Sequence, residues 1–237
     1  MRRTDEFSPG TSVEHKSIPL PAYMEEVYDW AYVNPRNVNK LDHNWIVKTL
    51  LFGNDQRLMR AYLNEIEPGQ RVWQVAHVYG DLVRRVAQKI GEHGYFELTD
   101  VTQIQIEHAK QKLAGVPQAH INHIDAADWQ GGSYDLVSSF FLLHEIPEEK
   151  KYEVVASMLR ALRPGGKLVF VDYHRPHWWQ PIGWILRGVN AWLEPFAHAL
   201  WVNEIEHYAP QNTLVWSKRT IFGGVYQIVT ACAPSKT

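Results

Sequence analysis

The sequence predicts an open α/β sheet, mostly parallel, with helices on both faces. Three observations predict it: short β-type runs alternate with helical periods from residue 71 onward, residues 135–142 form an almost wholly apolar run, and two late β-type runs lie close together. Strand–helix alternation gives parallel pairing through helical crossovers. A run apolar on both faces suits a central strand covered on both sides. Two late runs joined at Gly223 and Gly224 imply an antiparallel edge.

The 237 residues are read as one domain. Residues 1–22, polar and carrying Pro9, Pro19 and Pro21, read as a loosely held arm. Residues 23–64 read as a helical cap, with Ile46, Leu50 and Leu51 on one face and Leu58, Tyr62 and Leu63 following. Residues 65–232 then form the core, interrupted by an insertion over 175–210. The first strand is expected over 71–76. A helix follows with Leu82, Val83, Val86 and Ile90 on its inner face, ended by Gly91 and Gly94. The second strand spans 95–98 and closes at Asp100, and the next helix runs from Ile104 to Leu113. The third strand, 119–124, closes at Asp125. After the central run, Tyr152, Val155, Leu159 and Leu162 make a helical stripe. Arg163-Pro164-Gly165-Gly166 suits a tight turn with Pro second and Gly third, before a fifth strand over 167–171. The last two strands are expected over 213–219 and 225–231.

Composition excludes several classes. A formal net charge of -2 does not fit a protein that tracks nucleic-acid phosphates. The lone Cys232 excludes an internal disulfide framework and fits a reducing compartment. Arg2 and Arg3 are followed by no apolar run, so a secretory signal is not expected, and no segment offers the roughly 20 apolar residues of a membrane span. Five of the ten tryptophans fall between Trp178 and Trp201. Trp178, Trp179, Ile182, Ile185, Leu186, Val189, Trp192 and Leu193 make a broad apolar face, while Arg187, Glu194 and Pro195 argue against a span. Two readings stand: a cap packed on the sheet, or an interfacial helix contacting a bilayer surface. Tyr23, Tyr28, Trp30 and Tyr32 are expected to cover the other side of the pocket.

Four features occur in order: the segment from Val72 to Leu82 in the first strand, turn and helix; Asp100; Asp125-Ala126; and Arg163-Pro164-Gly165-Gly166. Over about residues 65–232 this resembles class I S-adenosylmethionine-dependent methyltransferases, especially those of ubiquinone and menaquinone synthesis. The resemblance implies their Rossmann-like sheet, with the ligand across the carboxyl ends of the strands. It implies that Asp100 accepts the ribose hydroxyls and that Asp125 meets the adenine amino group, with Ala76, Gly80, Val101, Ala126 and Phe140 also lining the cofactor. Both acids also suit helix caps.

The first loop departs from that pattern. An acid is expected where Gln74 stands, and small residues where Val78 and Tyr79 stand; these side chains are expected to fill the space of the cofactor's methionine end. Gln74 with Val78-Tyr79-Gly80-Asp81 resembles the RquA family of rhodoquinone-biosynthesis proteins. That resemblance implies conversion of ubiquinone to rhodoquinone, a ring methoxy group giving way to an amino group. S-adenosylmethionine would be the nitrogen donor, with a divalent metal, manganese preferred. Catalytic roles then fall to Gln74, Tyr79 and His144. Metal candidates are His144, Glu145, Asp172 and His174, with His77 and His177 as further possibilities among twelve histidines. A protein of this kind would work in the cytoplasm or at the cytoplasmic side of the inner membrane, as a peripheral protein. Two other readings remain open: an ordinary methyltransferase for a lipophilic acceptor, and a non-catalytic scaffold in quinone synthesis.

Overall fold

A computed structural model of the chain describes residue 21 and residues 44–184, 196–209 and 213–232. The expected arm, the aromatic residues 23–32 and the insertion's residues 185–195 lie outside the described residues.

Two helices, α1 (Asn44–Leu50) and α2 (Asp55–Leu63), precede the sheet. Then follow β1 (Arg71–Gln74), α3 (Leu82–Ile90), β2 (Tyr95–Asp100), α4 (Gln103–Lys112), β3 (Ala119–His123), β4 (Tyr134–Phe140), α5 (Glu148–Ala161) and β5 (Leu162–Tyr173). A short α6 (Ala199–Val202), β6 (Val215–Ile221) and β7 (Tyr226–Cys232) complete the order. The seven strands run β3-β2-β1-β4-β5-β7-β6. The first five pair in parallel, and β7 is antiparallel to both β5 and β6. The chain steps from β1 to β2 and β3 on one side and returns to β4 and β5 on the other, so the strand order reverses between β1 and β4, where a crevice opens at the carboxyl ends in sheets of this kind.

Every residue of β4 is buried, as the apolar run predicts. Helix α3 buries Leu82, Val83, Val86, Ala87 and Ile90, a stripe that includes all four expected residues. Burial of one such side chain contributes about 1.5–3 kcal/mol. Trp73 is fully buried among Trp129 and Tyr134 and donates its indole N–H to Thr99 Oγ1 at 3.1 Å.

Three local readings need correction. On α5 the buried face is Lys151, Val154, Val155, Ser157, Met158 and Ala161, so the expected stripe is off centre, with Tyr152 and Leu159 on its flank. The reason is Lys151: its ammonium donates to the carbonyls of Ile146 at 2.7 Å and Phe196 at 3.3 Å, which lets a charged residue take a core position. Leu50 is 53% exposed while Leu51 is buried, because α1 ends between them. The Pro164-Gly165 turn is not a separate connection. Pairing with β4 begins at Leu162, and the turn bulges out of β5 before the register resumes at Lys167. Gly165 has φ of 79°, as the third position of such a turn requires. A Cβ on Gly166 would stand 2.9 Å from the Arg163 carbonyl oxygen.

Candidate active site at the carboxyl ends of the strands

Gln74 ends β1 and is fully buried. Its Nε2 donates to the Ala76 carbonyl at 2.8 Å, and its Oε1 accepts from the Tyr62 hydroxyl at 3.4 Å. Tyr62, from α2, also lies 2.6 Å from Ser138 Oγ on β4. Burial pushes the Tyr62 hydroxyl well above its ordinary pKa, so it stays protonated. The amide that replaces the expected acid is thus tied at both ends within the fold.

The loop over 75–81 turns back toward α4. His77 donates its backbone N–H to Asp100 Oδ2 at 3.0 Å, and its buried ring Nδ1 donates to Gln105 Oε1 at 2.7 Å. Gln105 Nε2 in turn donates to the Tyr79 hydroxyl at 3.1 Å, and Lys112 Nζ lies 3.3 Å from His77 Nε2. Val78 packs against the main hydrophobic core. The hydroxyl end of Tyr79 is therefore anchored to α4, and Gly80, with φ of 84°, makes the reversal. His77 belongs to this chain of contacts, away from the other metal candidates.

Asp100 is buried. Its Oδ1 accepts from the backbone N–H and the hydroxyl of Thr102, each at 2.8 Å, and its Oδ2 from His77 N. A carboxylate offers about four lone-pair positions, so one remains open on Oδ2. Burial raises the pKa of this group, and the three donors oppose the shift. Asp125 does cap a turn: it precedes the 3₁₀ segment Ala126–Asp128 and accepts from Ala127 N at 2.9 Å. Its other oxygen pairs with Lys150 at 3.0 Å. The carbonyl of Val101 accepts from His123 Nε2, and Ala126 and Phe140 are buried, Phe140 against the Tyr62 ring.

At the ends of β4 and β5, His144 and Asp172 form a buried pair, with Nδ1 donating to Oδ1 at 2.8 Å. Asp172 also accepts from the backbone N–H groups of Leu143 and Tyr173. Glu145 Oε1 lies 3.6 Å from His144 Nε2. Burial lowers the pKa of Lys151, an effect offset in part by Glu148 and Asp172.

His174 is engaged elsewhere, with Nδ1 donating to the Gly224 carbonyl at 3.0 Å and Nε2 3.3 Å from Lys218 Nζ. Burial lowers its pKa. His177 stacks on Trp179. Of the expected metal candidates, His144, Glu145 and Asp172 therefore lie together while His174 does not join them, and among the described residues no three His, Cys, Asp or Glu side chains are grouped to hold an ion. Asp172 already accepts from three N–H donors, those of His144, Leu143 and Tyr173. This donor set does not fit a resident divalent metal.

Sequence reasoning missed an aromatic cluster beside this pair. Phe141, first past β4, packs edge-on against His144, Tyr173 and Tyr226 at 5.7, 5.2 and 5.8 Å. Phe222, in the β6–β7 turn, stacks on Tyr226 at 6.1 Å and on Phe52 at 6.2 Å. Phe52, Phe141 and Phe222 have φ of 50°, 55° and 55°. A left-handed backbone at such residues costs roughly 1–2 kcal/mol each. The only signal in the sequence is that Phe52 and Phe222 each precede a glycine.

The start of the insertion is clamped to the same turn: Gln180 Nε2 donates to the Phe222 carbonyl, and His177 N to that of Gly223. A cavity of about 290 Å³ lies there, lined by Arg175, His177, Trp178, Gln180, Trp184 and Trp201 among others. Trp178 and Trp184 are 88% and 69% exposed. No helix among the described residues is long and apolar enough to cross a membrane.

The strand order and the crevice are those of the Rossmann-like class I methyltransferase fold, and comparisons with known proteins agree. Residues 78–168 match the family described as "Methyltransferase domain". The N-methyltransferase NodS from Bradyrhizobium japonicum, solved with S-adenosyl-L-homocysteine, superposes with a TM-score of 0.58 at 13% identity, over 91% of this chain and 100% of that one.

The chain is also similar to ubiquinone/menaquinone biosynthesis C-methyltransferases UbiE. The protein of Ectopseudomonas mendocina is 27% identical over 74% of this chain and 68% of its own length. That of Vibrio vulnificus is 25% identical over 69% and 65%. The chain thus spans about two-thirds of the length of these relatives.

Proposed function

We propose that this chain is an S-adenosylmethionine-dependent transferase acting on the ring of ubiquinone, and that the group it transfers is the cofactor's amine, as in the RquA family. The observation that carries the reading is the first loop, where a neutral amide replaces the expected acid and is held by Tyr62 and Ala76. A carboxylate there would favour the ammonium form of a nearby amine, and an ammonium is not a nucleophile.

The site fits the cofactor's donors and acceptors. Asp100 keeps one lone-pair position for the ribose, and Val101, Asp125 and Ala126 line the expected adenine end. S-adenosylmethionine, when bound, would supply the amine nitrogen: a ring carbon–nitrogen bond would replace the bond to methoxy, which leaves as methanol, and the cofactor's own Cα–N bond would then have to break to leave the free amino group. Tyr79, anchored through Gln105, positions the loop over that end. His144, oriented by Asp172, holds or delivers a proton at Nε2. Peripheral contact with the cytoplasmic face of the inner membrane is supported by the exposed Trp178 and Trp184. Flotation with anionic liposomes tests it: protein remaining at the bottom of the gradient would sink that part.

A second reading, transfer of the sulfonium methyl to a quinone ring carbon, is favoured by the similarity to the UbiE proteins. One experiment separates the readings. The chain is incubated with nitrogen-labelled S-adenosylmethionine and a short-tailed ubiquinone, with and without manganese, and the products are weighed by mass spectrometry. A labelled amino group in place of methoxy is expected; a methylated ring establishes the second reading, and no cofactor binding leaves a scaffold. Gln74→Asp is expected to lower amination several-fold at neutral pH, and unchanged turnover at normal cofactor affinity would count against the role of the amide.

A further inference from the structure

We infer that Phe52, Phe141 and Phe222, backed by Tyr226, form the wall that receives a planar quinoid ring. The inference rests on the quinone reading above and deepens it by placing the acceptor.

Backbone strain is the first ground. These three are the non-glycine residues with positive φ among the described residues. Their turns explain the sign of φ: Phe52 closes the end of α1, and Phe222 opens the turn that Gly223 and Gly224 continue. They do not explain phenylalanine, since glycine meets the same geometry without strain. Strained backbone persists where surrounding structure over-determines it, and it concentrates at ligand clamps. Here three positions far apart in the chain converge on one cluster: Phe222 and Phe141 contact Tyr226, and Phe52 contacts Phe222.

Exposure is the second ground. Tyr226 is fully buried, whereas Phe141 and Phe222 are half-buried and Phe52 is 37% exposed. Rings that are only partly covered leave aromatic surface on which a flat ligand can stack. An electron-poor quinone suits the electron-rich faces of phenylalanine in offset stacking. The place in the fold agrees. Phe141 leaves the carboxyl end of β4 beside His144, so a ring against it lies next to the buried His144–Asp172 pair at that end of the sheet. At the outer end, Phe52 and the exposed Leu50 offer apolar surface to an isoprenoid tail.

The test uses the full chain with Phe141→Leu, Phe222→Leu and Phe222→Gly. Calorimetric titration gives the dissociation constants of S-adenosylhomocysteine and, in its presence, of a ubiquinone carrying one isoprene unit; thermal melting gives stability. Loss of one aromatic partner should raise the quinone constant about five- to tenfold in each variant while the S-adenosylhomocysteine constant stays within about twofold. Phe222→Gly, which relieves the strained φ, should melt no lower than Phe222→Leu yet bind quinone as weakly. Unchanged quinone binding in the variants would overturn the wall and leave the quinone reading standing. Parallel loss of cofactor affinity and melting temperature would show the rings to be structural and also overturn it. Wild-type protein that binds S-adenosylhomocysteine but no quinone would overturn both.

Discussion

The two halves of the crevice are built differently. On the side of β1 and β2, polar groups close in sequence satisfy one another: Asp100 with Thr102, Gln74 with Ala76, Asp125 with Ala127. On the side of β4 and β5 the contacts are long-range, joining Phe141 to Tyr226, His144 to Asp172 and Lys151 to the carbonyl of Phe196. The first half carries local caps, with one acceptor position left open on Asp100. The second sets a few buried charges among aromatic and aliphatic side chains, where a low effective dielectric strengthens each pairing. The cofactor half adds to these local caps the longer links of its loop, from His77 to Asp100 and from Tyr79 to Gln105. The acceptor half depends on partners brought in by the whole fold.

Breaking the acceptor half should give the largest effect. Asp172→Asn is expected to lower turnover by about 10²–10⁴-fold, the range of general acid–base catalysis, with cofactor affinity unchanged and the pH–rate profile altered. Steady-state kinetics across pH check it; an unaltered profile would place the pair outside the chemistry. Lys151→Met removes a buried ammonium but strands the carbonyls of Ile146 and Phe196, at a cost of about 1–3 kcal/mol read by urea unfolding. If stability instead rises, the buried charge was the larger penalty, as replacement of buried charges by apolar groups can show.

The smallest effect is the pH response of the cofactor half. Burial raises the folded pKa of Asp100 above its unfolded value. For an acid shifted upward, the stabilising contribution is full below the unfolded pKa and is lost as pH rises through the folded pKa. Cofactor affinity should run the other way, weakening as pH falls through the raised folded pKa, earlier than for an ordinary aspartate. Binding of S-adenosylhomocysteine measured from neutral pH downward checks this, and an onset in the normal aspartate range would show that the capping donors offset burial.

Much of the cofactor half is legible in the amino-acid sequence. Asp100 and Asp125 stand at strand ends, and a carboxylate there serves as a cap whatever else it binds. The loop is half legible. Gln74 and Tyr79 are visible departures, but the expectation that Tyr79 fills the cofactor's space does not anticipate Gln105, which draws its hydroxyl to α4. The metal set is not legible. His144, Glu145, Asp172 and His174 lie near one another in sequence or at adjacent strand ends, yet His174 binds the Gly224 carbonyl. Local spacing does not reveal where an imidazole turns.

By itself, the sequence determined the order of strands and helices, the antiparallel edge and the acids at the strand ends. These follow from periodicity, turn residues and capping, all of which act over a few residues. Only the tertiary structure decided that Lys151 enters the core, that Gln74 is tied to Tyr62, and that Phe52, Phe141 and Phe222 meet around Tyr226. Each is a contact between distant segments, and its energy depends on burial and on partners that exist only once the sheet has formed.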